Sequence, residues 1–162
     1  QCALRSGPDK SPHDPQVLVA GAIDLLRPLA RQANVELDLR ATSAGATANV
    51  DAGQFQQVVT NLVMNSIQAM PQGGRIELEL HEETKDAVRM AMVTVRDTGP
   101  GVPPALGARV FESFLTARKD GTGLGLAICK RIVRDHRGDI ELVDAKPGAG
   151  ATFRFWLPCA VG

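Results

Sequence analysis

Apolar positions along this chain follow two rhythms, one of three and four residues and one of two. From Gln16 to about Ala33, "QVLVAGAIDLLRPLARQA" places Val19, Ile23, Leu26 and Leu29 at helical spacing, with Asp14 as a possible N-cap and Pro28 as a bend. "NVELDLRA" then alternates, Val35, Leu37 and Leu39 facing one way and Glu36, Asp38 and Arg40 the other, as a strand requires. "TANV" suits another short strand before Asp51 caps a second helix, "DAGQFQQVVTNLVMNSIQAM". "PQGG" stops that helix, and "RIELELHE" alternates again with Ile76, Leu78 and Leu80 on one face. "AVRMAMVTVRD" reads as a longer neighbouring strand, "TGPGVPPA" as a loop, and Ala105 to Phe111 as a short helix. "GTGLGLAICKRIVRDH" passes from glycines into a helix with Leu126, Ile128, Ile132 and Val133 apolar. "DIELVDA", the turn "KPGAG" and "ATFRFWLP" close the chain as a hairpin.

Hairpins are thus mixed with helices, and strand and helix do not alternate regularly. That order predicts an α+β fold, a two-layer sandwich in which helices cover one face of a mixed, mostly antiparallel sheet. The expected organisation is a linker or peripheral arm over residues 1–15, one domain over 16–158 and a tail over 159–162.

Composition narrows the function. The 162 residues fit one domain, and 44% hydrophobic content suffices for a core. Eighteen basic and eighteen acidic side chains cancel, so no global field draws nucleic acid or an anionic membrane. No apolar run approaches the ~20 residues that span a bilayer, and neither a signal pattern nor an initiator Met opens the chain, which suggests an excised fragment. Cys2, Cys129 and Cys159 have neither zinc nor redox spacing and read as reduced, incidental thiols of a cytoplasmic protein.

Three stretches suit chemistry. On the second helix Phe55, Val58, Val59, Leu62 and Ser66 form the core stripe. Gln54, Gln57, Asn61, Asn65 and Gln68 form another stripe of amides without a charge, unlike an ordinary solvated face. Such a face suits either a hydrogen-bond network or a hard cation such as Mg2+, which keeps waters and takes further ligands from phosphates. In "VTVRDTGPG", alternation puts Asp97 on the side of Val93 and Val95. A carboxylate there needs donors, and an exocyclic amino group such as adenine's is one; a plain Asp-Gly turn is the other reading. Gly99 and Gly101 would let the backbone approach a flat ring. In "KDGTGLGLAI", Gly121, Gly123 and Gly125 lead straight into a helix whose N–H groups suit phosphate, with Arg118 and Lys119 upstream. The spacing is neither that of a P-loop nor that of a dinucleotide fingerprint.

In this order "NLVMNSIQAM", "DTGPGVP", "VFESFLTARKDGTGLGLAI" and "GAGATFRFWLP" resemble the ATP-binding catalytic domain of bacterial sensor histidine kinases. That family lies within the superfamily of gyrase, heat-shock chaperone and mismatch-repair ATPases, and the resemblance covers roughly Val17 to Leu157. "NSIQAMPQGG" and a short lid look most like the nitrogen-regulatory subclass. The resemblance implies the Bergerat ATP-binding fold, with ATP as substrate and Mg2+ as cofactor. Asn65 would be the metal ligand and Asn61 would lie beside the triphosphate, where hydrolysing relatives often carry a glutamate. An amide cannot act as a general base, which suits transfer to a protein side chain.

Asp97 would hold the adenine amino group, with Thr152 backing it and Gly99 and Gly101 shaping the loop. Phe111 and Phe114 would anchor the lid. Gly121, Thr122, Gly123, Leu124, Gly125 and the N–H of Leu126 would cradle phosphates, and Arg118 would reach the γ-phosphate where the subclass usually has lysine. Ser66 stands where alanine is usual. The lid between Asp97 and Gly121 is expected to be mobile without nucleotide.

The phosphoacceptor motif of the family, a histidine on a dimerising helical hairpin, is missing, and His13, His81 and His136 read as surface or packing residues. The expected function is therefore to bind Mg-ATP and donate its γ-phosphate to a histidine on a separate dimerisation domain, with a response regulator downstream. Alone, the domain should bind nucleotide and hydrolyse it poorly. The alternatives are a nucleotide-switched interaction module or a regulatory ATPase or serine kinase of the same superfamily.

Overall fold

The computed structural model describes residues 7–42, 46–103, 105–112, 125–145 and 148–160. Its elements are β1 (Ser11–His13), α1 (Pro15–Gln32), β2 (Val35–Ala41), β3 (Ala48–Val50), α2 (Ala52–Gln68), β4 (Gly74–Lys85) and β5 (Val88–Asp97). A short 3-10 helix (Gly107–Phe111), α3 (Gly125–Asp135), β6 (Asp139–Asp144) and β7 (Thr152–Pro158) follow. Five strands form one sheet in the order β2-β4-β5-β7-β6. The β2–β4 pairing is parallel and the others are antiparallel, which is the mixed α+β sheet that the alternation implies.

Alternation decides which face the helices cover. Ile76, Leu78 and Leu80 of β4 lie opposite Asp97, Val95 and Val93 of β5, and all six are buried. They share the core with Val19, Ile23 and Leu26 of α1, with Val58, Val59 and Leu62 of α2, and with Cys129, Ile132 and Val133 of α3. Phe55 of α2 meets Phe155 of β7 edge-on, with ring centroids 5.6 Å apart. Burying one such ring stabilises the fold by about 1.5–3 kcal/mol. The opposite face carries cross-strand ion pairs, Arg75–Asp38 at 3.4 Å and Arg96–Glu77 at 3.5 Å, with Lys85 4.2 Å above the Trp156 ring. No helix among the described residues is long and apolar enough to cross a membrane.

Two features depart from the periodicity. β4 is the longer partner of the hairpin, twelve residues against ten for β5. Its distal part is polar on both faces, so the apolar alternation fades before the pairing ends. A two-residue turn at Asp86 and Ala87 closes the hairpin with φ of 51° and 66°, the conformation that matches strand twist. β3 does not join the main sheet. It pairs with β1 from the N-terminal arm, and Ala48 also bridges Cys159.

α2 starts in an unusual way. The Asp51 side chain accepts from Gln54 N at 3.1 Å, and in a capping box the Gln54 side chain would reach back to Asp51 N–H. That N–H donates instead to Nε2 of buried His136 at 3.1 Å, so Nδ1 carries the proton and donates to Ile132 O at 2.8 Å. Gln54 Oε1 is left buried without a hydrogen-bond partner among the described residues. His136 thereby ties the end of α3 to the start of the amide-bearing helix.

Candidate functional site

Asp97 ends β5 on the core face, 5% exposed. A carboxylate in that position needs compensating donors, and it has three. Oδ1 accepts from Gly99 N at 3.0 Å and from Ala151 N at 3.1 Å, and Oδ2 accepts from Ser66 Oγ at 2.8 Å. Asp97 N donates to Ala151 O at 2.9 Å, so the strand end and the carboxylate are held by the same neighbour.

Glycines permit this closeness. A Cβ on Gly150 would lie 2.0 Å from Asp97 O, and φ there is +86°. A Cβ on Gly99 would lie 3.0 Å from Met70 Cγ, and Gly101 has φ of 84°. Met70 is buried beneath this loop, where its sulfur receives the Thr98 hydroxyl at 3.6 Å.

The amide stripe lies on α2. Asn61 and Asn65 are half-buried, four residues apart and so on one face of the helix. Asn61 Nδ2 donates to Gly125 O at 3.3 Å, which joins α2 to the first residue of α3. Cys129, one turn into α3, donates to Val58 O at 3.8 Å. Burial pushes its thiol up to about 12 despite an opposing hydrogen bond from Asn61, so it stays protonated at neutral pH.

Ser66 links the two ends. It is the residue after Asn65, so the carboxylate that ends β5 is hydrogen-bonded to the immediate neighbour of a half-buried amide. Asn61, Asn65, Asp97, Gly99, Gly101, Gly125 and Leu126 all belong to α2, the β5 end with its loop, or the α3 start. Thr152 does not face Asp97. It pairs with Arg96, one position out of step, so alternation turns its side chain to the opposite face of the sheet. The residue that reaches Asp97 is Ala151, through its backbone, and the hydroxyl comes from Ser66. Phe111 packs edge-on against Phe153 at 5.9 Å. Phe114, Arg118, Gly121, Thr122, Gly123 and Leu124 lie outside the described residues.

This combination of a strand-end carboxylate held by three donors and an amide-faced helix sits inside one family match. Residues 50–161 match the family described as histidine kinase-, DNA gyrase B- and HSP90-like ATPase. The chain belongs to that family. Among curated members of this histidine kinase-like ATPase family it is 36% identical over 156 residues to sensor histidine kinase TmoS of Ectopseudomonas mendocina, covering 95% of this chain and 16% of TmoS. It is 39% identical over 131 residues to adaptive-response sensory kinase SasA of Synechococcus sp. (strain JA-3-3Ab), covering 78% of this chain and 32% of SasA.

Its fold superposes on the nucleotide-free catalytic domain of histidine kinase ThkA with TM-score 0.81 and 26% identity, over 93% of this chain and 95% of that one. On full-length ShkA in complex with AMPPNP the TM-score is 0.82 at 30% identity, over 96% of this chain and 32% of ShkA. The chain therefore spans a third or less of these full-length kinases.

Among the described residues no cluster of three or more His, Cys, Asp or Glu could hold a metal ion. The donor set nevertheless suits Mg2+, because an amide oxygen such as that of Asn65 is a hard ligand for an ion that keeps waters and phosphate oxygens in its shell.

Proposed function

We propose that this chain is the ATP-binding catalytic domain of a two-component sensor histidine kinase. It binds Mg-ATP between α2 and the β5 end, and donates the γ-phosphate to a histidine on a separate dimerisation domain. The observation that supports this most is the Ser66–Asp97 hydrogen bond at 2.8 Å, which sets the carboxylate beside the helix that bears Asn61 and Asn65. Full-length ShkA, whose fold this chain shares, is in complex with the ATP analogue AMPPNP.

In this reading Asp97 accepts from the adenine amino group, and Gly99 and Gly101 let the loop lie against the ring. Asn65 would hold Mg2+, which would supply charge neutralisation to the phosphates. Asn61 lies beside the triphosphate, with Gly121, Thr122, Gly123, Leu124, Gly125 and the Leu126 N–H around it and Arg118 at the γ-phosphate. The bond from the acceptor histidine nitrogen to the γ-phosphorus forms as the bond from phosphorus to the bridging oxygen breaks, and ADP leaves. The protein contributes position and charge, which is most of what phosphoryl transfer requires. Thr152 has no part in holding Asp97 in this account.

The phosphohistidine would then serve a response regulator on the cytoplasmic side, where ATP is available. The domain spans residues 16–158, and Ser11–His13 and Cys159 lie against its β3 strand. Assignment to the nitrogen-regulatory subclass rests on the "NSIQAMPQGG" phrase and the short lid.

The test is to mix this chain with the cognate histidine-bearing hairpin and γ-labelled ATP. Acid-labile, base-stable phosphate on the hairpin is the expected product. Tight Mg-ATP binding without any transfer would turn the reading to a nucleotide-switched module, and rapid release of free phosphate would turn it to a regulatory ATPase.

A further inference from the structure

The hydroxyl of Ser66 sits where the nucleobase would be chosen. Ser66 lies on α2 and is 1% exposed, with Oγ 2.8 Å from Asp97 Oδ2. The other carboxylate oxygen, Oδ1, already accepts two backbone N–H groups, from Gly99 and Ala151. A carboxylate oxygen has about two lone-pair sites, so Oδ1 is filled and Oδ2 keeps one. A serine has one proton to give, and here it goes to Oδ2.

We infer that Ser66 is the positioning residue that selects an amino-bearing purine, by fixing which oxygen and which lone pair of Asp97 is offered to the ligand. This rests on the nucleotide-binding reading above. With alanine at position 66 the carboxylate keeps its two bonds to Oδ1, but Oδ2 loses the donor that occupies one of its lone pairs, so the acceptor aimed at the ligand loses its fixed direction. A base with a 6-amino donor feels that loss. A base without one does not, because it never used the lone pair.

The experiment is a cycle that deletes the hydroxyl from the protein and the amino group from the ligand. Calorimetry compares wild type, Ser66→Ala and Ser66→Thr, each with Mg-ATP and with Mg-purine riboside triphosphate, which lacks the 6-amino group. Ser66→Ala should weaken ATP about 5- to 10-fold, the size of one hydrogen bond to a charged acceptor, and purine riboside triphosphate less than about 2-fold. Ser66→Thr keeps the hydroxyl and should stay within about 3-fold of wild type for ATP.

Alanine is the better helix former and removes one oxygen, so the variant should keep its fold. An equal loss for both nucleotides, or no loss for ATP, overturns the inference while leaving the nucleotide site intact. Wild type that binds neither nucleotide overturns the underlying reading itself.

Discussion

The two ends of the proposed site are built in different ways. At the base end, Asp97 is fixed by three donors from three segments: a loop N–H, the N–H that precedes β7, and a hydroxyl on α2. Its geometry comes from backbone and close glycine contacts, so it exists before any ligand arrives. At the phosphate end, half-buried amides on α2 meet the first turn of α3, where Asn61 donates to Gly125 O at 3.3 Å and Cys129 donates to Val58 O at 3.8 Å. That helix pair is tied at its other end by Asp51 N–H, which donates to His136 Nε2 at 3.1 Å. The two ends of the proposed site thus differ in what sets them, backbone and hydroxyl donors from three segments at one and side chains on a helix pair at the other.

The largest effect should come from Gly150→Ala. Its Cβ would sit 2.0 Å from Asp97 O on a backbone with φ of +86°, so the strand end must move. The expected loss is about 2–4 kcal/mol of stability in denaturant titration, together with ATP binding. A variant as stable as wild type would show that the base end is less rigid than described. Next is Asp97→Asn, which makes one acceptor a donor opposite Ser66 Oγ. ATP affinity should fall about 100-fold by calorimetry, with little change in thermal midpoint. Unchanged binding would place the base elsewhere.

Asn65→Ala tests the other end. Mg-ATP should weaken about 10-fold and metal-free ATP no more than about 2-fold, because the amide acts through the ion. Equal losses would remove the metal from Asn65.

The smallest effect is in acid. Burial pushes the Asp139 carboxyl up, but Lys130 Nζ at 2.9 Å, Ile140 N–H and Arg134 outweigh it and hold it below the usual range. The Asp51 carboxyl is also held low, chiefly by Asp9 N–H at 2.9 Å. Both are depressed in the folded state, so their stabilisation is present above the usual carboxylate range and is lost as pH falls through the lower folded values. Thermal midpoints should be flat from neutrality to about pH 5 and fall below pH 4, less steeply in Asp139→Asn. An identical slope in the variant would mean that the α3 tether carries no such linkage.

Most of the base end could be read in the sequence, because a strand period of two fixes which side chains point inward. Val93, Val95 and Asp97 follow it, and so does the amide stripe on α2 at its own period. The same alternation in "ATFRFWLP" turns Thr152 away from Asp97 once Phe153 and Phe155 face the core. Reading that strand alone would have given the observed side, whereas the family resemblance pointed to the other. Ser66 could not be paired from sequence, since its partner is 31 residues away and an alanine-sized position signals only core. The approach of Gly150 to Asp97 is equally non-local. β1 is not legible because its three residues, one of them Pro12, carry too little periodicity, and the end of β4 because both of its faces are polar.

The central claim is that Asn65 and Asp97 grip opposite ends of one ATP molecule. A crystal structure of this chain with Mn2+ and a non-hydrolysable ATP analogue tests it directly. The account predicts the base amino group within hydrogen-bond distance of Asp97 Oδ2 and the metal about 2.2 Å from the Asn65 side-chain oxygen, on the same nucleotide. A nucleotide that reaches only one of these residues, or neither, would contradict it.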